Sequence, residues 1–132
     1  MLIANNVYHP SYVSFEYALM FYNIIPETVY AITSATSKTS REFIVNKLSY
    51  SYYRIKKEAF TGYAKKDFNG QIVLVAEPEK ALADYLYFVA IGRKSLNERL
   101  DLKEINKGKL IKYAKLFKRK NLLKLINQIY KL

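Results

Sequence analysis

Two side chains near the N-terminus, Ser14 and His9, have the chemistry of a nucleophile and a base. A serine nucleophile needs a base within hydrogen-bond reach, but His9 is the only histidine and stands beside Pro10. Ser14 directly precedes an apolar helical pattern, where a serine side chain can accept hydrogen bonds from the first free N–H groups of a helix. We therefore interpret Ser14 as a helix N-cap and His9 as a turn residue, and we predict no catalytic residue.

Three carboxylates, Glu77, Glu79 and Asp84, lie close together in the sequence and could be imagined as a metal site. A cation held by oxygen ligands needs those ligands to converge, whereas residues five apart on a helix, such as Glu79 and Asp84, point to different sides. Lys80 is four residues before Asp84, the spacing at which helical side chains pair. We interpret this block as structural and predict no metal, no cofactor and no enzymatic activity.

Positive charge is concentrated in the last third of the chain. Residues 1–92 contain 9 Lys and Arg against 8 Asp and Glu, whereas residues 93–132 contain 13 against 3, so +10 of the net charge of +11 lies there. Such a segment indicates an anionic partner, nucleic acid or a membrane surface, although a general lysine bias would also produce it. The candidate binding residues project opposite Leu110, Ala114 and Phe117; they are Lys109, Lys112, Lys115, Arg119 and Lys120.

The composition bears on the compartment. The chain has no cysteine, which excludes disulfides and cysteine metal sites. Its N-terminus lacks the layout of a signal peptide, and no apolar run reaches the ~18 residues that a membrane span requires. We therefore expect a cytoplasmic protein without a membrane segment.

The stretch from Gln71 to Gly92 is the element around which the remaining ones are expected to pack. Residues 71–76 form a β-branched run, and Pro78 suits the first position of a helix that is apolar around most of its circumference. Asn69-Gly70 before the run predicts a two-residue type I′ hairpin loop.

The remaining patterns complete a predicted α+β fold, with an N-terminal helix, an antiparallel sheet of four to five strands, a central helix and C-terminal basic helices. We expect one domain over residues 1–132, with a core at 1–92 and a basic helical tail at 93–132. The predicted elements are a helical turn at 2–7, a helix at 15–25, strands at 29–34, 42–48, 49–56, 63–68 and 71–76, a short helix opened by Asp101 and Glu104, a helix at 107–120 and a last helix capped by Asn121.

Two motif blocks resemble AbiEi-type antitoxins of type IV toxin–antitoxin, or abortive-infection, systems. The first is IANNVYHPSYVSFEYALMFYNIIPE (3–27), and the second is AEPEKALAD (76–84), preceded by FTGY (60–63) and followed by the lysine-rich tail. The motif residues, which we interpret as structural, are Pro10, Ser11, Tyr12, Ser14, Glu79, Lys80 and Asp84.

The resemblance implies a non-enzymatic antitoxin and transcriptional-regulator core that counters a nucleotidyltransferase-like toxin, without a stable complex being assumed. Family members typically carry a winged helix-turn-helix domain before this region, and the chain starts about where that domain would end. We therefore expect no operator-specific DNA binding by this chain alone. The alternative is a stand-alone module that binds DNA or RNA non-specifically through its basic tail, and a third hypothesis is a membrane-surface protein.

Overall fold

The computed structural model describes residues 1–131, which form an α+β fold. The strands are β1 (Ser11–Val13), β2 (Ile32–Thr36), β3 (Arg41–Val45), β4 (Leu48–Arg54), β5 (Tyr63–Phe68) and β6 (Gln71–Ala76). The helices are α1 (Ala4–Val7), α2 (Phe15–Phe21), α3 (Pro78–Ala90), α4 (Lys107–Ala114) and α5 (Lys120–Ile129), with single 3₁₀ turns at Lys57–Ala59 and Lys115–Phe117.

The six strands form one mixed sheet in the order β3-β4-β2-β1-β6-β5, which corrects the expectation of a purely antiparallel sheet of four to five strands. The pairs β2–β4 and β1–β6 are parallel. The parallel β2–β4 pair arises because β4 lies between β3 and β2, and the sixth strand is β1, a three-residue strand that the sequence did not reveal. It lies at the centre of the sheet, with Val13 opposite both Ser34 of β2 and Val75 of β6.

The two-residue loop at Asn69-Gly70 is confirmed. Asn69 has φ 54° and Gly70 has φ 91°, and Phe68 pairs directly with Gln71. Both positive φ values are those that a type I′ turn requires, because its twist matches that of the flanking strands.

Helix α3 is the central helix, as predicted, and begins with Pro78 at its first position after an extended Glu77 (φ −63°, ψ 156°). It packs against α2, α4, α5 and β6. In the sequence, the one side of this helix that is not apolar carries a thin polar line, Lys80, Asp84 and Tyr87. Two members of that line, Lys80 and Asp84, are instead fully buried, so this helix is enclosed on its polar side as well.

Helix α2 is shorter than the predicted helix over 15–25, because it ends at Phe21. The chain leaves the helix through Asn23, whose φ of 60° is left-handed. The N–H of Ile24 donates to the carbonyl of Leu19 over 2.8 Å, and that of Asn23 donates to Met20 over 3.0 Å. These bonds form a Schellman motif with asparagine in the place that glycine usually takes.

The predicted helix over 107–120 is wrong in extent. It stops at Ala114 and is followed by the 3₁₀ turn, after which Lys118 has φ 53° and Arg119 is extended. Helix α5 then begins at Lys120. Lysines 118 and 120 give no local signal for this break, which neither glycine nor proline marks.

Two predicted caps are also wrong. No helix begins at Asp101, whose N–H instead donates to the carbonyl of Ile24 over 2.8 Å. Asn121 lies inside α5, and its Nδ2 donates to the carbonyl of Ala90 over 2.9 Å. The side-chain cap of α4 is Asn106, whose Oδ1 accepts from the N–H of Lys109 over 3.0 Å. Among the helices of residues 1–131, none has the length and apolar character that crossing a membrane requires.

Candidate functional site

The two motif blocks meet in a buried polar network that consists of Tyr12, Ser14, Lys80 and Asp84. Asp84 Oδ2 accepts hydrogen bonds from Tyr12 Oη over 2.8 Å and from Ser14 Oγ over 2.7 Å. Lys80 Nζ forms an ion pair with Asp84 Oδ1 and donates to Tyr12 Oη over 2.8 Å. The predicted pairing of Lys80 with Asp84 is therefore confirmed, and it involves two additional motif residues.

Local structure explains how these four side chains converge. Tyr12 lies in β1 and Ser14 at the junction of β1 with α2, whereas Lys80 and Asp84 are one turn apart on α3. Ser14 occupies the N-cap position predicted for it, but its hydroxyl donates to Asp84 and makes no capping bond. Its function is thus to join two elements rather than to cap one.

Gly62 leaves the space that the aliphatic part of Lys80 occupies. Gly62 has φ 80°, and a Cβ atom at this position would lie 2.8 Å from Lys80 Cγ and 3.0 Å from Tyr113 Cε1. The ammonium group lies 5.4 Å from the centre of the Tyr12 ring and 5.2 Å from that of Phe117. Aromatic faces attract a desolvated cation, so the Phe117 ring helps to stabilise the buried charge, whereas Tyr12 does so through its hydroxyl oxygen.

Burial dominates the electrostatics of the network. It raises the pKa of the Asp84 carboxyl group, and this effect is opposed by the charge of Lys80 and by the hydrogen bonds from Lys80, Ser14 and Tyr12. Burial and the neighbouring Asp84 raise the pKa of the Tyr12 hydroxyl well above its usual value. All four side chains are inaccessible to solvent, so the network can connect β1 to α3 but offers no surface to a ligand.

The other motif residues hold the surrounding backbone. Ser11 Oγ donates to the carbonyl of Tyr8 over 2.7 Å, and the carbonyl of Pro10 accepts from Thr36 Oγ1 over 2.8 Å. Glu79 Oε2 accepts from the N–H of Asn106 over 3.0 Å. His9 is exposed and joined to Pro10 by a cis peptide bond. Within residues 1–131, no three His, Asp or Glu side chains lie where they could hold a metal ion.

One of the predicted tail cations, Lys109, is engaged within the fold. Its Nζ lies 2.8 Å from Glu77 Oε2 and 3.9 Å from Glu79 Oε1. Tyr113 Oη also donates to Glu77. Hydrogen bonds from Lys109 and Tyr113 lower the pKa of Glu77 below its usual value, and burial beside this carboxylate raises the pKa of Tyr113 to about 12. Lys109 thus joins α4 to the start of α3, and its charge is less available to bind an external anion.

The other predicted tail cations are exposed. Lys112, Lys115, Arg119 and Lys120, together with Lys118, form what we call the tail surface. In the part of the chain that the structure describes, none of them takes part in an ion pair. Because the helix breaks at Lys118, Arg119 and Lys120 do not continue the row that begins on α4.

A second basic region was not predicted from the sequence. It is a cleft of about 820 Å³ between the ends of β2, β4 and α3. We call it the β2–β4 cleft; its lining residues are Ser37, Thr39, Ser40, Arg54, Ile55, Lys56, Lys57, Tyr87 and Arg93. Three of its cations come from one short run, Arg54 to Lys57, in residues 1–92, whose net charge is only +1, and the fourth, Arg93, comes from the start of the basic segment.

No family model, curated protein or solved structure matches this chain.

Proposed function

We propose that this chain is the core domain of an AbiEi-type antitoxin, a non-enzymatic component that counters a nucleotidyltransferase-like toxin. The observation that supports the proposal is the buried network. Tyr12 and Ser14 belong to the first motif block that resembles the family, and Lys80 and Asp84 belong to the second. The bonded residues of the two blocks lie 68 to 72 positions apart in the chain, so the two blocks build one structural unit.

The burial of this unit assigns the motif a structural role. Because its four side chains are inaccessible to solvent, the motif supports the fold, and any antagonism of the toxin is exerted by exposed side chains. The proposal includes no stable complex with the toxin. It therefore predicts that the chain protects cells from the toxin, and it does not require the chain and the toxin to co-purify.

The experiment is co-expression with a nucleotidyltransferase-like toxin encoded beside this chain. The wild-type chain should restore growth. Asp84→Ala, which leaves the buried Lys80 unpaired, should weaken protection in proportion to the fraction of the chain that unfolds, as followed by circular dichroism. A well-folded wild-type chain that gives no protection at expression levels matching those of the toxin would contradict the proposal.

The second candidate function is non-specific nucleic-acid binding through the tail surface. It is favoured by the five exposed cations of that surface, which have no ion-pair partner within residues 1–131. Lys and Arg side chains that neutralise phosphates release counterions, so the affinity falls steeply with salt. Such contacts carry little sequence information.

A titration separates this function from operator recognition. Fluorescence anisotropy should show similar affinities for a promoter duplex and a scrambled duplex, both weakened strongly between 50 and 200 mM salt. A large preference for the promoter at the higher salt concentration would overturn the non-specific reading. Protection from the toxin without any duplex binding would leave the antitoxin proposal alone standing.

A further inference from the structure

We propose that the β2–β4 cleft binds the polyphosphate group of a small ligand such as a nucleoside triphosphate. This inference goes beyond the antitoxin proposal, because that proposal rests on the buried network and this one on an exposed cleft on another part of the sheet. Four cations, three aliphatic hydroxyl groups and the Tyr87 side chain line the cleft, and among the described residues no Asp or Glu does.

The parallel pairing of β2 and β4 creates the cleft. Thr36 and Arg54 are opposite each other at the carboxyl ends of the two strands, and the N–H of Ile55 donates to the carbonyl of Thr36 over 2.9 Å. The following segments, 37–40 and 55–57, therefore leave the sheet at the same edge. In open sheets with parallel strands, ligands bind preferentially in the crevice outside the carboxyl ends of the strands.

The end of α3 supplies the fourth cation. Gly92 has φ 78°, and the N–H groups of Gly92 and Arg93 donate to the carbonyls of Val89 and Phe88 over 3.0 and 2.8 Å. This Schellman motif turns the chain so that Arg93 lines the cleft. The carbonyl groups in the last turn of α3 already accept hydrogen bonds, and that of Ala90 accepts one from Asn121 Nδ2. Fewer free carbonyl oxygens therefore face an incoming anion.

Within residues 1–131, no carboxylate forms an ion pair with a cation of the cleft. Among the ion pairs of residues 1–131, none includes Arg54, Lys57 or Arg93. Lys56 Nζ donates to the carbonyl of Phe117 over 2.8 Å, and an ammonium group has two further protons to donate. Guanidinium groups match phosphate oxygens in a bidentate geometry, so the two arginines suit terminal phosphoryl groups.

The hydroxyl groups and an aromatic ring complete the site. Ser40 Oγ accepts from the N–H of Arg54 over 2.8 Å, an arrangement that leaves its proton free to donate to an anion. The Tyr87 ring lines the cleft and is held by stacking on Phe117, with the ring centres 4.3 Å apart. A base or sugar next to the phosphates would therefore meet a fixed aromatic wall.

The size and charge of the cleft favour a small ligand over a nucleic-acid strand. Its volume of about 820 Å³ lies within the range of roughly 300–1,000 Å³ that is typical of small-molecule sites. Four cations around one cavity match the three to four negative charges of a triphosphate, whereas a nucleic-acid strand carries one charge per nucleotide along an extended path.

The experiment measures binding of inorganic tripolyphosphate, ATP and a 20-nucleotide single strand to the full chain by isothermal titration calorimetry. We expect one tripolyphosphate or ATP per chain. The affinity should fall at least tenfold in Arg54→Gln/Arg93→Gln. The matched control is Lys47→Gln/Lys65→Gln, which removes the same charge from exposed positions outside the cleft and should leave the affinity within twofold. Lys38 is unsuitable as a control, since it lies between two lining residues.

Three results would overturn the proposal. They are the absence of binding at 1 mM tripolyphosphate and ATP, an equal loss of affinity in both double variants, and binding of the single strand without binding of tripolyphosphate or ATP. The last result would assign the cleft to phosphodiesters. If the arginine variant fails to fold, amide chemical shifts of the wild-type chain test the proposal instead. Addition of tripolyphosphate must then change the shifts of residues 37–40 and 54–57 more than those of residues 107–120.

Discussion

Ser14 Oγ donates a hydrogen bond to Asp84 Oδ2 over 2.7 Å, although the two residues are 70 positions apart in the chain. The bond connects the junction of β1 and α2 to the middle of α3. Because the same oxygen accepts from Tyr12 and the other from Lys80, Asp84 is the acceptor on which the whole network depends.

Removing this acceptor should therefore lower the stability of the fold. We expect Asp84→Ala to lower the free energy of unfolding by about 3–5 kcal/mol, since it leaves the buried ammonium group of Lys80 without its counterion. Replacing both charges in Lys80→Met/Asp84→Leu should cost clearly less, because no unpaired charge remains. Urea denaturation measures both values. A loss below about 1 kcal/mol in Asp84→Ala would show that the network contributes little to stability.

Gly62 should be more sensitive to substitution than Gly70. Both have positive φ, but a Cβ on Gly62 would meet Lys80 Cγ at 2.8 Å, whereas nothing lies within 4 Å of one on Gly70. Alanine at either position has a left-handed backbone cost of roughly 1–2 kcal/mol. We expect Gly62→Ala to lose about 1–3 kcal/mol more through overpacking, as measured by thermal or urea unfolding. Equal losses in the two variants would refute the steric argument.

Acidification should weaken the junction between α3 and α4. The pKa of Glu77 is lowered from its usual 4.5 in the folded chain, chiefly by the hydrogen bonds from Lys109 and Tyr113. A lowered folded-state pKa gives stability that is fully present above the unfolded-state value and is lost as the pH falls through the folded-state value. The stability difference between wild type and Glu77→Gln should thus be constant near neutral pH and shrink below pH 4.5.

The control for this pH series is Glu104→Gln. Glu104 is exposed and forms no ion pair within the described residues. The stability difference between wild type and Glu104→Gln should stay small over the whole pH range. Urea midpoints measured from pH 7 to pH 3 give both curves, and a Glu77→Gln difference that does not change with pH would exclude an ionic contribution from this junction.

Charge reversal on the tail surface should reduce polyanion binding without unfolding the protein. We expect Lys112→Glu/Lys115→Glu/Arg119→Glu to lower both duplex affinity and its salt slope, because fewer counterions are released. Exposed substitutions usually change stability by about 0.5 kcal/mol or less each. Lys109 is left out because a glutamate there would face Glu77 and Glu79. If Lys47→Glu/Lys65→Glu/Lys124→Glu reduces binding equally, only the overall charge matters.

The sequence predicted those parts of the fold that local patterns determine. Pro78 marks the start of α3, and Asn69-Gly70 produces the loop between β5 and β6. It did not predict β1, since three residues between Pro10 and Ser14 are too few to show a period and the strand depends on partners on both sides. The break at Lys118 was missed for a similar reason, because its left-handed conformation has no glycine signal.

The candidate sites show the same division between local and distant contacts. Spacing alone identified the pair Lys80 and Asp84, but it could not show that Tyr12 and Ser14 join them. The tail cations were visible as a run, whereas engagement of Lys109 by Glu77 depends on how α4 packs on α3. The β2–β4 cleft depends on a parallel pairing that brings Arg54 to the loop at 37–40, which no charge count reveals.

The central position of β1 also has a consequence for synthesis on the ribosome. Val13 pairs with Ser34 and with Val75, so the middle of the sheet is incomplete until the later strand has been translated. At about 5–20 residues per second, roughly 2 to 8 s pass between the synthesis of Ser34 and that of Val75. Throughout this interval one side of β1 stays unpaired in the nascent N-terminal half. A chaperone that covers this strand edge would therefore act at this stage of synthesis.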